Sequence, residues 1–531
     1  MAIVEFNYKE LCKFMGVCVP LPELREQLDM MGAPVDSIDG ETMRCDITPN
    51  RIDLLSVEGL ARAVSNFIGA KKPFDYEVGK GGVTLAVDSS VKSVRPFVAA
   101  GIVKGITIDD STIKSLMQVQ EKIHATHGRN RKKVAIGIHN LDPLKPPFTY
   151  KAVSPKDISF VPLDLEESLD LSQIIEKHPK GKDYAHLVAE YDRYPIIVDA
   201  RGNVLSFPPI INGELTRVSE STSNIFIDVT GTSFDAVNDA LNVLCALFSD
   251  RGGKLFSVDV GGRELPDLSR RKITVSPEQM NNLIGFKLKP EEMAPLLSKM
   301  GHIAKLNGQE LQVLCPPYRS DIIGWVDIAE DLAIAYGYNR LEPTLPQLPS
   351  IGRLLDSRER IREAMVGLGF CEAITYTLSN DEVNFSKMRL KNNGKATKIT
   401  NPLTIDFTLF RTWLSPSMLS VLGVNSHEPM PQKVFEIGDC YEGGRREIHF
   451  ACSLAKARAS FSEMKSVAEA LALESEMRLE FRDEAHPSLI PGRSVSVWVK
   501  GEKKGFLGEV HPEVLNNFGI EEPTVIFELE L

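Results

Sequence analysis

Four carboxylates crowd one short stretch of this chain: Asp321, then Asp327, Glu330 and Asp331. The run from Val326 to Tyr336 has helical periodicity. Val326, Ala329, Ala333 and Tyr336 share one face, and Asp327, Glu330 and Asp331 share another at i, i+3 and i+4. Gly337 supplies a stop, and Pro343 follows soon after. Three carboxylates on one turn repel one another unless solvent or a cation intervenes. Such a helix has to fold with that turn against water, an ion or a partner. Asp321, in the preceding loop, can fold back as a fourth oxygen ligand, and hard oxygen donors of this kind suit Mg²⁺. The plainer reading is a solvated acidic face.

At 531 residues the chain has room for roughly three to five domains, each with its own core. Hydrophobic content of 43% and charged content of 25% are those of an ordinary soluble protein. A net charge of −11 argues against sequence-independent nucleic-acid binding by the whole surface, leaving room for a local basic patch. None of the eight cysteines forms a Cys-x-x-Cys pair, so zinc is not expected. Most lie among apolar residues and read as buried free thiols of a reducing compartment. The start of the chain has neither a basic run nor an apolar core, and no stretch is apolar enough to span a bilayer, so a cytoplasmic protein is expected.

Along the chain, residues 1–80 form an opening unit with a helix capped by Asn7 and another from Leu54 to Phe67. In it Asn50, Arg51 and Asp53 read as capping and ion-pairing residues. Residues 81–265 read as a mixed α+β domain. Its predicted strands lie near Val83, Phe97, Val134, Pro195 and Asn224, and its helices over Ile113–Thr126 and Phe234–Phe248. Residues 266–345 hold the acidic cluster and a helix start at Ser276-Pro277. Pro343, Pro346 and Pro349 read as a stiff connector. Residues 346–531 bring a helix from Asp356 to Leu368, several strands and a Gly443-Gly444 turn.

The words around the acidic cluster carry a family resemblance. Pro316-Pro317-Tyr318-Arg319-Ser320-Asp321-Ile322-Ile323, then Asp327 through Asn339 and Arg340, resembles the β subunit of phenylalanyl-tRNA synthetase. Thr48-Pro49-Asn50-Arg51 through Gly59 is similar to the first domain of that family. Val134 to His139, Lys145 to Tyr150 and Phe207-Pro-Pro-Ile-Ile-Asn212 are similar to its tRNA-editing domain. The matching words run in family order from about residue 40 to the end of the chain, so chance convergence is a poor explanation. The length resembles the archaeal and eukaryotic type, without the extra nucleic-acid-binding modules of the longer bacterial one.

The resemblance implies an α+β multidomain fold: a mixed α+β editing domain, plus a C-terminal antiparallel sheet domain like the class II synthetase core. That core is expected to be catalytically silent. Phe410-Arg411-Thr412-Trp413 keeps an arginine but has tryptophan where an ATP-holding site needs an acidic partner, which leaves Arg411 a structural arginine. Gly505-Phe-Leu-Gly508 leads to a short helix after Pro512 that has no arginine. The family further implies an α subunit that activates phenylalanine with ATP, an α2β2 heterotetramer and tRNA(Phe) as substrate. It also implies Mg²⁺ on Asp321, Asp327, Glu330 and Asp331, shared with the α subunit.

Rejecting tyrosine is a problem of one hydroxyl. A size sieve fails because tyrosine is the larger side chain, so a second site has to hydrogen-bond the phenol. By resemblance the editing candidates are Gln120, Arg131, Ser206, Arg217, Asp228 and Thr230. No Ser-His-Asp or Cys-His set is evident, so water attack on the ester is expected, assisted by the terminal ribose hydroxyl. Two other readings stand beside this one. A metal-dependent hydrolase would need histidines converging on the acidic cluster, yet His302 reads as structural, and His124 and His127 lack a third ligand. A non-enzymatic tRNA-binding scaffold with an inactive editing domain differs only in failing to deacylate mischarged tRNA.

Overall fold

The computed structural model describes Ala2–Pro343, Leu345 and Ser357–Leu531, and the chain divides into two compact units, Met1–Leu345 and Pro346–Leu531. The connector prolines Pro346 and Pro349, and the expected helix start at Asp356, lie outside the described residues.

The first unit opens with a three-stranded antiparallel sheet, Ala2–Asn7, Thr42–Ile47 and Val35–Asp39, in that spatial order. Asn7 accepts from Glu10 N–H at 3.0 Å and starts the helix Tyr8–Met15 as its sequence predicts. The helix Val57–Phe67 is buried almost all round, and the Arg51–Asp53 ion pair beside it is buried too. The hydrophobic core of this layer runs without a break into that of the large sheet that follows.

That sheet has ten strands. Its path is Ile211–Asn212, Val204–Phe207, Tyr194–Val198, Phe148–Val153, Val78–Val87, Lys254–Val260, Phe97–Lys104, Asn224–Gly231 and Val134–Asn140, with Arg263–Leu265 pairing off the path. Val78–Val87 runs parallel to both neighbours, and the other pairs are antiparallel. The helix Phe234–Asp250 packs on the strands Phe97–Lys104 and Asn224–Gly231. Its apolar face buries Val237, Leu241, Leu244 and Phe248. Residues from both ends of the sheet line one cavity, so the sheet curls back toward itself.

Between Arg271 and Cys315 a second three-stranded antiparallel sheet carries its own core of Met280, Met293, Leu297, Val313, Ile328 and Leu332. Ser276 caps Pro277–Ile284 through Gln279 N–H at 3.3 Å. The last helix of the unit, Trp325–Tyr336, buries Ala329 and Ala333 of the face its sequence predicts, but its buried side is wider and displaced from it. Ile328, Ala329, Leu332 and Ala335 are buried, Val326 is exposed, and Asp331 points into the protein.

The second unit holds a seven-stranded sheet. From Gln432–Glu442 to Leu479–Asp483 its neighbours are antiparallel, and the short strand Cys371–Glu372 joins one edge in parallel. The helices Ser357–Gly367 and Phe461–Glu474 cover one face through Ile361, Met365, Met464 and Leu471, against Phe435, Phe450 and Phe527. Ser415–Val424 packs on the other face, against Cys440 and Ala451. Gly443 and Gly444 make the tight hairpin turn with φ of 59° and 77°, as read from the sequence.

The cysteines correct one expectation. Cys12 and Cys18 are joined as a disulfide rather than free, because the turn after the helix Tyr8–Met15 brings them together. Of the free cysteines Cys371 is exposed, and Cys45, Cys245, Cys315, Cys440 and Cys452 are buried.

Candidate functional site

The cavity at the two ends of the large sheet has a volume of about 410 Å³. Gln120, Arg131, Ser206, Arg217, Asp228 and Thr230 all line it. They come from five separate segments of the chain. Gln120 lies on the helix Asp110–Ala125, Ser206 on an inner strand, Asp228 and Thr230 on Asn224–Gly231, and Arg131 and Arg217 on connecting turns. Asp228 and Thr230 are two apart on a strand, so both side chains leave the same face. The segment Phe207-Pro208-Pro209-Ile210-Ile211-Asn212 forms an apolar wall.

Arg131 is the side chain held most closely. It donates to Ile210 O at 2.9 Å and Pro209 O at 3.3 Å, pairs with Glu121 at 3.0 Å and lies 4.4 Å from the centre of the Tyr184 ring. Its backbone is strained, since Arg129, Asn130 and Arg131 have φ of 49°, 53° and 66° in succession. Each left-handed non-glycine residue costs on the order of 1 kcal/mol. The turn is fixed by Lys133 N–H on Gly128 O and Arg131 N–H on His124 O, at 2.8 and 3.2 Å. The strain therefore aims Arg131 at the wall of the cavity.

Thr230 accepts from the buried Arg95 at 2.9 Å, and Gln120 donates to Ile136 O at 2.8 Å. Ser206 Oγ is buried without a partner, as is Arg131 Nε. Arg217 is different. It is half-exposed and tied to Glu214 and Asp164 by bonds of 2.6 to 2.8 Å, and it holds the Glu214 carboxyl below its usual range.

Behind Asp228 stands a residue that motif reading quoted but gave no role. His139 is fully buried, with Nε2 2.6 Å from Asp228 Oδ1 and Nδ1 2.8 Å from Thr216 Oγ1. The Thr216 hydroxyl donates to Gly213 O at 3.0 Å, so His139 Nδ1 donates to it. The bond between His139 Nε2 and Asp228 Oδ1 fixes the carboxyl group in place. Gly137 lies opposite Asp228 in the strand register, and a Cβ there would collide with Asp228 Oδ1 and sit 2.6 Å from His139 Nε2. His124 also lines the cavity, and its ring Nδ1 has no partner. The signal for these residues was weak, because a lone histidine or glycine in a strand is usually structural.

The acidic cluster does not assemble as its spacing suggests. Asp331 is buried and held by Arg319 at 2.9 Å and His302 at 2.6 Å. Asp321 faces the same guanidinium in a bidentate pair at 2.8 and 2.7 Å. Asp327 accepts from Ile323 N–H and Gly324 N–H, both at 2.7 Å, and so caps its own helix. Glu330 alone is exposed with no such partner among the described residues. Arg319, two residues from Asp321, supplies from within the chain the positive charge that the carboxylates need. As they stand, Asp321 and Asp331 are taken up by Arg319 and Asp327 by its own helix end, so holding a shared Mg²⁺ would require them to exchange these partners for the ion.

Among the described residues, the one group of three side chains close enough to share a metal is Cys440, His449 and Glu528. Its carboxylate is already committed. Glu528 takes Leu414 N–H, Ser415 N–H and the Ser415 hydroxyl, at 2.5 to 2.8 Å, besides His449. Burial pushes the Cys440 thiol far up. This cluster caps the helix Ser415–Val424. On the same face Arg411 is buried against Glu436 at 2.8 Å and donates to Asp439 O and Thr375 Oγ1. Arg411 is thus held on every side by the protein, in keeping with a structural role.

The domain content is that of an aminoacyl-tRNA synthetase subunit. Residues 273–338 match the tRNA synthetase B5 domain, and residues 341–531 match the phenylalanyl tRNA synthetase beta chain CLM domain. The chain belongs to the phenylalanine–tRNA ligase beta-subunit family, of the archaeal type. It is 40% identical over 541 residues to the phenylalanine–tRNA ligase beta subunit of Methanothrix thermoacetophila, covering 100% of both chains. It is 40% identical over 544 residues to that of Archaeoglobus fulgidus, covering 100% of this chain and 98% of the relative. The crystal structure of an N-terminal fragment of the phenylalanyl-tRNA synthetase beta subunit from Pyrococcus horikoshii is similar with a TM-score of 0.60 and 37% identity. It covers 63% of this chain and 99% of that one. Among the described residues no helix is long and apolar enough to cross a membrane.

Proposed function

We propose that this chain is the β subunit of a class II phenylalanine–tRNA ligase, supporting ATP-dependent charging of tRNA(Phe) by an α subunit. The cavity of the first unit hydrolyses tyrosyl-tRNA(Phe) made in error. The observation that carries the editing reading is the convergence of six side chains, spread over 111 residues from Gln120 to Thr230, on one partly apolar cavity with buried, unpartnered polar atoms. Such atoms are what a site needs if it is to reward a hydroxyl and give nothing to its absence. Water attacks the ester carbonyl. Asp228, fixed by His139, orients that water, and Arg131 holds the terminal nucleotide.

The second unit supplies an interface. Its buried Arg411 is unavailable to phosphate, while Ile374, Tyr376, Leu403, Ile405 and Val424 stand exposed. Large apolar side chains left in water suit a partner subunit, and the assembly expected from the family resemblance is α2β2. The test is deacylation by the complex reconstituted with its α subunit. Tyrosyl-tRNA(Phe) is cleared and phenylalanyl-tRNA(Phe) is spared, and Arg131→Ala or Asp228→Ala slows clearance while phenylalanine charging continues. Clearance at the parental rate by both variants removes these residues from the site. No clearance by the parent complex leaves a tRNA-binding scaffold instead.

A further inference from the structure

The helix Asp110–Ala125 covers an open sheet edge with two of its side chains. Val134–Asn140 is the last strand of its sheet, so Ile136 turns its backbone groups away from the ladder. Gln120 donates to Ile136 O at 2.8 Å, and one helical turn on Ile136 N–H donates to His124 Nε2 at 2.8 Å. That second bond settles the imidazole. Its Nε2 is an acceptor, so in the neutral ring the proton sits on Nδ1. The ring is neutral: burial, with the charges of Arg131, Arg95 and Lys180 around it, lowers the His124 pKa well below the histidine range.

The Nδ1–H so fixed has no acceptor in the protein, although His124 is only 2% exposed and its ring lines the cavity. Capping Ile136 uses only the ring's Nε2, so edge coverage gives the Nδ1–H no role. Ser206 Oγ, 2% exposed and also without a partner, lines the same cavity. A phenol oxygen accepts one hydrogen bond and gives one. A fixed N–H and a free hydroxyl oxygen are the matching pair, and the phenylalanine ring can use neither.

We infer that His124 is a specificity-determining residue of the cavity, whose Nδ1–H donates to the phenolic oxygen of a bound tyrosyl group while Ser206 Oγ accepts the phenol proton. This rests on the editing reading above. The ester and ribose are common to correct and incorrect products, so bonds to them cannot discriminate, whereas this pair touches the one atom that differs.

The α-containing complex tests it with tRNA(Phe) carrying tyrosine or 4-fluorophenylalanine, which has a para substituent but no O–H. His124→Gln places an amide oxygen where Nε2 stood, keeping the cap on Ile136 and removing the donor at the Nδ1 position. The ratio of kcat/KM for tyrosyl over 4-fluorophenylalanyl ester should fall about tenfold, as for the loss of one neutral hydrogen bond. Ser206→Ala should lower the same ratio, and it provides an independent reading if His124→Gln fails to assemble. Phenylalanine charging reports assembly in both. An unchanged ratio in the assembled variants, or an equal loss on both esters, overturns the inference and leaves editing standing. A parental complex that clears neither ester overturns the editing reading and this inference together.

Discussion

Removing the Asp331 carboxylate should destabilise the domain that carries it by about 3 kcal/mol. Asp331 is 3% exposed and receives Arg319 and His302. Breaking a buried pair by deleting one partner costs about 3–5 kcal/mol, because the remaining charge stays buried. Here Arg319 keeps Asp321, which places Asp331→Ala at the lower end of that range. Asp331→Asn keeps the shape and one acceptor, and His302 can turn its tautomer to meet the new amide, so about half that loss is expected. Trp325 starts the same helix and reports on it. With Trp413→Phe and Trp498→Phe in the background, Trp325 fluorescence in urea isolates this domain. At an m-value of about 2 kcal/mol per M, Asp331→Ala moves the midpoint down by about 1.5 M.

The pH dependence gives a second reading. Burial alone would raise the Asp331 pKa, but Arg319 and the His302 bond override it and hold the group well below the usual carboxylate range. A lowered folded value means stability that is complete above the ordinary aspartate value of about 3.9 and is lost as pH falls below it. The parent should weaken below that pH, and Asp331→Asn should weaken less steeply. Parental midpoints for both variants, or an unaltered acid slope in Asp331→Asn, would refute the claim that this carboxylate is spent on Arg319.

Two further outcomes follow from particular contacts. Gly137→Ala should cut tyrosyl-tRNA deacylation at least about tenfold, as loss of a well-placed bond does, because its Cβ would displace Asp228 or His139, while phenylalanine charging by the same complex persists. The isolated chain should show no ATP–pyrophosphate exchange, which should appear on adding the α subunit. Leu403→Asp with Ile405→Asp should weaken that rescue, read as co-elution of the two subunits, if the exposed apolar residues are the contact.

The sequence by itself determined what is local or carried in words. Asn7 and Ser276-Pro277 start helices because a short side-chain oxygen meets free N–H groups a few residues on. Alternating runs such as Asn224–Gly231 read as strands, and the ordered motifs placed the chain in its family and named six residues that share a cavity. Tertiary structure alone decided which charges and donors are already used. Asp327, Glu330 and Asp331 look equivalent on a helical wheel, yet packing turned Asp331 inward onto Arg319 and His302, gave Asp327 to its own helix end and left Glu330 in water. Likewise nothing in the run from Gln118 to Lys133 shows that His124 meets the amide of Ile136, which fixes its tautomer, and nothing around Cys12 shows that it reaches Cys18. The physical reason is the same in each case. Periodicity tells which side chains share a face, but turns and packing decide which donors and acceptors meet that face, and so whether a polar atom is satisfied or left free to act.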